Sequence, residues 1–256
     1  MNEEKVNIVR EMLDQRITSL DYYYSIYEEL SGERNELHDR IIHSIISAHR
    51  YDSGKKIFML GGAPANGKST FINSGCHPYP KNAIKIDPDE IKEQLPEYII
   101  MKEMHVSEAA ALVHEESASI AKEIVNRAIQ NGFDIIIDGV ANDTLETRLE
   151  QIEELRSNGH YIRMDYVTLD TELSIQLAEQ RFQATGRRVP HTYLIEKNKM
   201  IARLVPELIE SKAFNELYLW DTNMEGQPRL ILSQKSGKLK IENEALYEDF
   251  KRKAND

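Results

Sequence analysis

The residues best equipped for chemistry lie in one short run, Gly62-Ala63-Pro64-Ala65-Asn66-Gly67-Lys68-Ser69, followed by Thr70. The run matches G-x-x-x-x-G-K-[ST], with an apolar strand pattern before it and a helix pattern after it. The glycines let the backbone turn tightly and aim its N–H groups inward. Those donors and a helix N-terminus bind anionic phosphates. Lys68 is then expected to reach the β- and γ-phosphates of a nucleoside triphosphate, and Ser69 to place its hydroxyl on magnesium. ATP is the expected nucleotide, with GTP the alternative, and all nine residues from Gly62 to Thr70 are candidates for holding it.

Transfer of a phosphoryl group needs two further things: a group to orient or deprotonate the acceptor hydroxyl, and more positive charge. In open α/β sheets the ligand sits beyond the carboxyl ends of the strands. One such end carries Asp87-Pro88-Asp89-Glu90. One of its aspartates is expected to cap the next helix. Asp89 is the candidate base, and Asp87 its support, a substrate contact or a magnesium partner. Asp138 ends an apolar run next to the loop, where a second carboxylate commonly binds magnesium. Arg181 falls near the end of a helix. Arg187 and Arg188 follow a glycine, either as a lid over the γ-phosphate or as a solvated basic turn. Glu116, in the polar run His114–Ser117, is a substrate contact or simply the wet face of its helix.

These residues need a scaffold, and the chain alternates strand and helix patterns around them. Strands are expected at 56–60, 83–86, 134–137, 161–169 and 214–220. Helices are expected at 107–131, from 143 or 144 to 159, at 171–185 and at 191–212. This order implies an α/β P-loop NTPase three-layer fold with a mainly parallel five-stranded sheet. Residues 3–50 read as two helices separated at Ser31-Gly32. The tail reads as a β-hairpin, 229–233 and 238–241 around Lys235-Ser236-Gly237, and a last helix at 244–251. One domain is expected: a helical extension (1–52), the core (53–225) and the hairpin with its helix (226–256).

The net charge of -11 argues against nucleic acid as a partner, since such proteins need a basic surface. The single cysteine, Cys76, rules out an intrachain disulfide and fits a reducing cytoplasm. No apolar run has the length of a signal core or a membrane span. The expected location is cytoplasmic, with secretion as an effector left open. The guanine-reading Asn-Lys-x-Asp segment of GTPases has its nearest counterpart at Asn198-Lys199-Met200-Ile201, which lacks the aspartate.

In order along the chain, GGAPANGKST, IDPDEIKEQLPEY, a polar helix, DIIIDG, EQRF and GRRVP resemble the zeta-toxin family of P-loop kinases over roughly residues 56–222. The segment I-D-x-D-x-x-K-x-x-x-P is the most distinctive after the loop. The resemblance implies an ATP- and magnesium-dependent kinase acting on a hydroxyl of a small molecule such as UDP-N-acetylglucosamine or NAD. It also implies a toxin held inactive by a small helical antitoxin or immunity protein. By resemblance, Lys68 is the phosphate lysine and Asp89 the catalytic base. Arg181 and Arg187 are the clamping arginines, Arg187 being favoured over Arg188 by the spacing R-x-x-P. The chain departs from the family after Gly139. Val140 stands where toxins of the family tend to have a substrate-contacting threonine, and Asn142, Asp143 or Thr144 are the available substitutes. A nucleotide switch that hydrolyses ATP to drive a protein partner is the alternative reading, and paired aspartates argue against it. A nucleic-acid end kinase is disfavoured by the acidic charge.

Overall fold

A computed structural model describes residues 3–27, 32–49, 54–139, 144–185, 189–223 and 227–255. Its elements in chain order begin with α1 (Glu3–Gln15), α2 (Ser19–Tyr27), α3 (Gly32–Ser47), β1 (Lys56–Gly61) and α4 (Lys68–Ser74). Next come β2 (Ile84–Ile86), α5 (Pro88–Lys92), α6 (Pro96–Glu103), α7 (Ala109–Leu112), α8 (His114–Gln130) and β3 (Ile135–Asp138). Then follow α9 (Leu145–Ser157), β4 (Tyr161–Thr168), α10 (Thr171–Thr185), α11 (His191–Ser211) and β5 (Glu216–Asp221). The chain closes with β6 (Arg229–Lys235), β7 (Lys238–Ile241) and α12 (Glu244–Arg252). The chain groups into two compact units, Met1–Asp52 with Ile84–Phe133, and Ser53–Ala83 with Asp134–Asp256. The N-terminal helices therefore share a unit with the segment 84–133, a grouping that cuts across the expected core.

In the first unit, α8 carries its buried residues Ile120, Ala121, Ile124 and Ala128 as one apolar stripe. The helices α2, α3 and α5 pack on it, and α1 packs on α6. The N-terminal stretch forms three helices where two were expected. Arg16 adopts φ 56°, and the Ile17 N–H donates to the Met12 carbonyl at 3.1 Å. This is a left-handed helix end built on a non-glycine residue, so no glycine marks it in the sequence. Thr18 then caps α2, accepting from the Asp21 N–H at 3.1 Å. The long helix expected at 107–131 is interrupted at Val113, where φ is -111°.

The second unit holds a sheet in the order β3-β1-β4-β5-β6-β7. The strands β3, β1, β4 and β5 run parallel, with Leu60 opposite Asp138 and Gly61 opposite Tyr166. The C-terminal hairpin continues this sheet antiparallel from β5, with Tyr218 opposite Ser233. With β2, the described residues contain seven strands, so the expected count of five is corrected: the hairpin is part of the sheet. Phe58, Leu60, Phe71, Tyr79, Val167 and Trp220 form the core cluster around β1 and α4. A buried Asp165 sits in it, accepting hydrogen bonds from Tyr79 Oη and Trp220 Nε1, each at 2.9 Å, and from Arg163 Nε at 2.7 Å. A buried carboxylate is tolerated only with such a full set of donors. Among the described residues no helix is long and apolar enough to cross a membrane.

Candidate active site

The loop after β1 is shaped by its backbone. Ala65 has φ 59° and Gly67, which precedes α4, has φ 78°, so two left-handed residues flank Asn66. Only glycine fits at 67. A Cβ there would lie 2.7 Å from Thr222 Oγ1, in addition to the strain of the positive φ. A Cβ at Gly62 would meet Val167 Cγ2 at 2.7 Å and the Val167 carbonyl oxygen at 2.9 Å. The glycines of the motif thus serve close approach of strand and loop as well as turning. Lys68 Nζ curls back over the loop and donates to the Gly62 carbonyl at 3.0 Å and the Ala63 carbonyl at 3.4 Å.

Asn66 was expected as one more nucleotide-binding residue. Its side chain is instead buried and holds the loop from behind. Its Nδ2 donates to Asn198 Oδ1 at 2.8 Å, and its Oδ1 accepts from Ser174 Oγ at 2.8 Å. The Thr222 hydroxyl, just past β5, lies 2.8 Å from the Asn66 carbonyl oxygen and 3.0 Å from that of Thr168. Three residues that local pattern did not mark, Ser174, Asn198 and Thr222, therefore set the loop's position. In the sequence Asn198 opens the run 198–201, the nearest counterpart of the guanine-reading segment. The one available signal was Thr222, a polar residue directly after the carboxyl end of a parallel strand.

The remaining phosphate-side candidates fall in the same unit. Ser69 is exposed and Thr70 half-buried in the first turn of α4. Asp138 is the last residue of β3, half-buried and in register with Leu60. A hydroxyl and a carboxylate are the oxygen donors that a hard cation such as magnesium takes. Arg181 lies exposed in the last turns of α10. Arg187, Arg188 and Asn142 lie outside the described residues.

Asp87 and Asp89 belong to the other unit. Asp87 Oδ1 accepts from the Asp89 N–H at 2.9 Å, so Asp87 is the cap of α5, as one of the pair was expected to be. Pro88 occupies the first helical position, where a missing N–H costs nothing. Asp89 keeps 41% of its side-chain exposure and accepts from Lys92 Nζ at 3.0 Å.

Glu116 sits differently from both readings of the sequence. It is fully buried, which corrects its placement on a wet helix face. Its Oε1 faces Arg34 Nε at 2.6 Å and His38 Nε2 at 2.7 Å, and its Oε2 faces Ser19 Oγ at 2.6 Å and Arg34 Nη2 at 2.7 Å. Arg34 also pairs with Glu97 at 2.8 Å, and Tyr23 Oη donates to Glu97 at 2.6 Å. Burial alone pushes the Glu116 carboxyl up. The hydrogen bonds from His38 and Arg34, the Arg34 charge and the Ser19 hydroxyl outweigh it and hold the group down to about 2. A carboxylate with both oxygens committed in this way has none to offer a substrate.

A model of the zeta-toxin family matches residues 42–228, well over half of the chain. Toxin zeta of Enterococcus hirae is 22% identical over 142 residues, covering 56% of this chain and 47% of the relative. Toxin PezT of Streptococcus pneumoniae serotype 4 is 20% identical over 149 residues, covering 58% of this chain and 55% of the relative. The chain thus spans about half the length of the curated relatives it matches. Among solved structures, AvrRxo1-ORF1:AvrRxo1-ORF2 with ATP superposes with a TM-score of 0.63 at 17% identity, over 87% of this chain and 73% of that one. A structure from the PezAT toxin–antitoxin system of Streptococcus pneumoniae superposes with a TM-score of 0.62 at 14% identity, over 78% and 82%. These similarities establish a shared α/β fold, and the family match extends from the end of α3 through the sheet to the β5–β6 connection. The chain belongs to the zeta-toxin family.

Proposed function

We propose that the protein is an ATP-dependent kinase that transfers the γ-phosphoryl group to a hydroxyl of a nucleotide-type small molecule. The observation that carries this reading is the loop at 62–70. Left-handed residues at 65 and 67, a lysine at the start of α4 and a buried polar anchor form a preset cradle for phosphates. The acceptor oxygen bonds to the γ-phosphorus, the bond from phosphorus to the ADP oxygen breaks, and the hydroxyl proton passes to Asp89. Lys68 leaves its own loop carbonyls for the β- and γ-phosphate oxygens, and Arg181 and Arg187 add charge against the phosphoryl group in flight. Ser69 and Asp138 are the residues that would hold magnesium, which neutralises the β- and γ-oxygens when bound.

The acceptor candidates are UDP-N-acetylglucosamine-like and NAD-like molecules. Val140, in place of a hydrogen-bonding side chain, favours an acceptor pocket of its own kind, with Asn142 as a contact. Because relatives occur in toxin–antitoxin systems, a small helical antitoxin is the proposed protein partner. The test is incubation with labelled ATP and a panel of UDP-sugars, NAD and nucleosides, with the product identified by mass. Lys68→Ala and Asp89→Asn are each expected to lower transfer about 100-fold or more while the protein stays folded. An active Asp89→Asn enzyme removes Asp89 from the role of base. ATP hydrolysis with no labelled acceptor favours a nucleotide switch.

A further inference from the structure

We infer that Lys92 is the positioning residue that holds Asp89 in place to receive the acceptor's proton, an inference that rests on the proposed role of Asp89. Lys92 ends α5, and its side chain keeps only 6% exposure. Among the described residues its ammonium has one hydrogen-bond partner, Asp89 Oδ1 at 3.0 Å.

A charge-pair on a helix is usually an exposed, weak contact. The chain has such a pair with the same spacing, Lys251 with Glu248 on α12, whose side chains are 40% and 60% exposed. The Lys92 pair is asymmetric: the cation is sunk and the carboxylate stands at 41% exposure. Burying an ammonium is costly, and an apolar side chain would fill the same space without that cost. What the buried lysine adds is a fixed cationic anchor beneath a half-exposed carboxylate.

The neighbouring charges fit this division. Lys85 Nζ lies 3.5 Å from Asp87 and 2.5 Å from Glu90, so the outer carboxylates have their own cation. Asp87 fixes the backbone of Asp89 through the N–H bond at 2.9 Å, and Lys92 fixes its side chain. Backbone and rotamer are both set before substrate arrives. Preorganisation of this kind is worth a large factor in rate, because a reacting group displaced by about 1 Å costs about 100-fold.

The experiment compares Lys92→Met, which keeps the length without the charge, with Lys92→Arg, which returns a cation. Transfer from labelled ATP to UDP-N-acetylglucosamine and to NAD is followed, or to water if neither accepts. Lys92→Met is expected to fold, to keep its KM for ATP, and to lose about 10–100-fold in kcat. Lys92→Arg is expected to recover much of that loss. A folded Lys92→Met enzyme with the parent kcat overturns the inference, as does an arginine variant no better than the methionine one. Should Lys92→Met fail to fold, acylation of Lys92 by acetic anhydride decides. Labelling several-fold faster in Asp89→Asn than in the parent supports the pairing, and equal labelling overturns it. Asp89→Asn in the transfer assay separates the two failures: if it is active, the base assignment falls, and if it is inactive while Lys92→Met is normal, only the role of Lys92 falls.

Discussion

Two buried polar networks hold this protein's candidate functional segments, and they are built from opposite materials. Behind the phosphate loop, Asn66, Ser174, Asn198 and Thr222 make a neutral network of amides and hydroxyls. Around α8, Arg34, Glu97, Glu116 and His38 make a network of ionisable groups. The neutral network fixes backbone: it holds the carbonyl and side chain of one loop residue. The ionic network fixes whole helices, tying α2, α3 and α6 to α8 through groups that are costly to bury singly and tolerable together. Position is secured in both, but only the second makes it depend on pH.

The sharpest way to break this contrast is Arg34→Met. It strands Glu97 and Glu116 without their shared cation, and the expected loss is about 3–5 kcal/mol, read from the urea midpoint. A variant as stable as the parent would mean that the carboxylates find other partners. Next in size is acid. The Glu116 carboxyl is held down to about 2 from an ordinary 4.5. A depressed carboxyl adds stability in full above its unfolded value and loses it as pH falls through the folded one. About 3 kcal/mol should therefore disappear between roughly pH 5 and pH 2, and Glu116→Gln should flatten that limb. The smallest effects belong to the neutral network. Asn66→Ala is expected to cost about 1–3 kcal/mol and Thr222→Val about 1 kcal/mol. Both should weaken ATP binding in calorimetry, and the loss should be the same at pH 5 and pH 7. A pH-dependent loss would show that the neutral network is coupled to titrating groups.

The glycine loop between β1 and α4 was legible because its requirements are local. Gly62, Gly67 and Lys68 answer to the backbone dihedrals and reach of the short turn between β1 and α4, and the pattern records those directly. Asp87 as a cap was legible for the same reason, its partner being two residues away. The break at Arg16 was missed since a left-handed helix end on arginine leaves no glycine. The hairpin was legible, but its place in the sheet was not, because strand addition depends on the edge that β5 offers.

Sequence alone determined the family of this chain: an ordered set of motifs shared with one family, beginning with eight contiguous residues that match G-x-x-x-x-G-K-[ST]. Tertiary structure decided what each polar residue is used for. Asn66 became an anchor because Ser174 and Asn198 lie beside it, more than a hundred residues on. Glu116 became part of the core because Arg34 lies against it from another helix, and Lys92 is distinguished from an ordinary surface lysine by burial alone. The reason is range. A turn is dictated by its own dihedrals, whereas the protonation and exposure of a side chain depend on neighbours that only folding supplies.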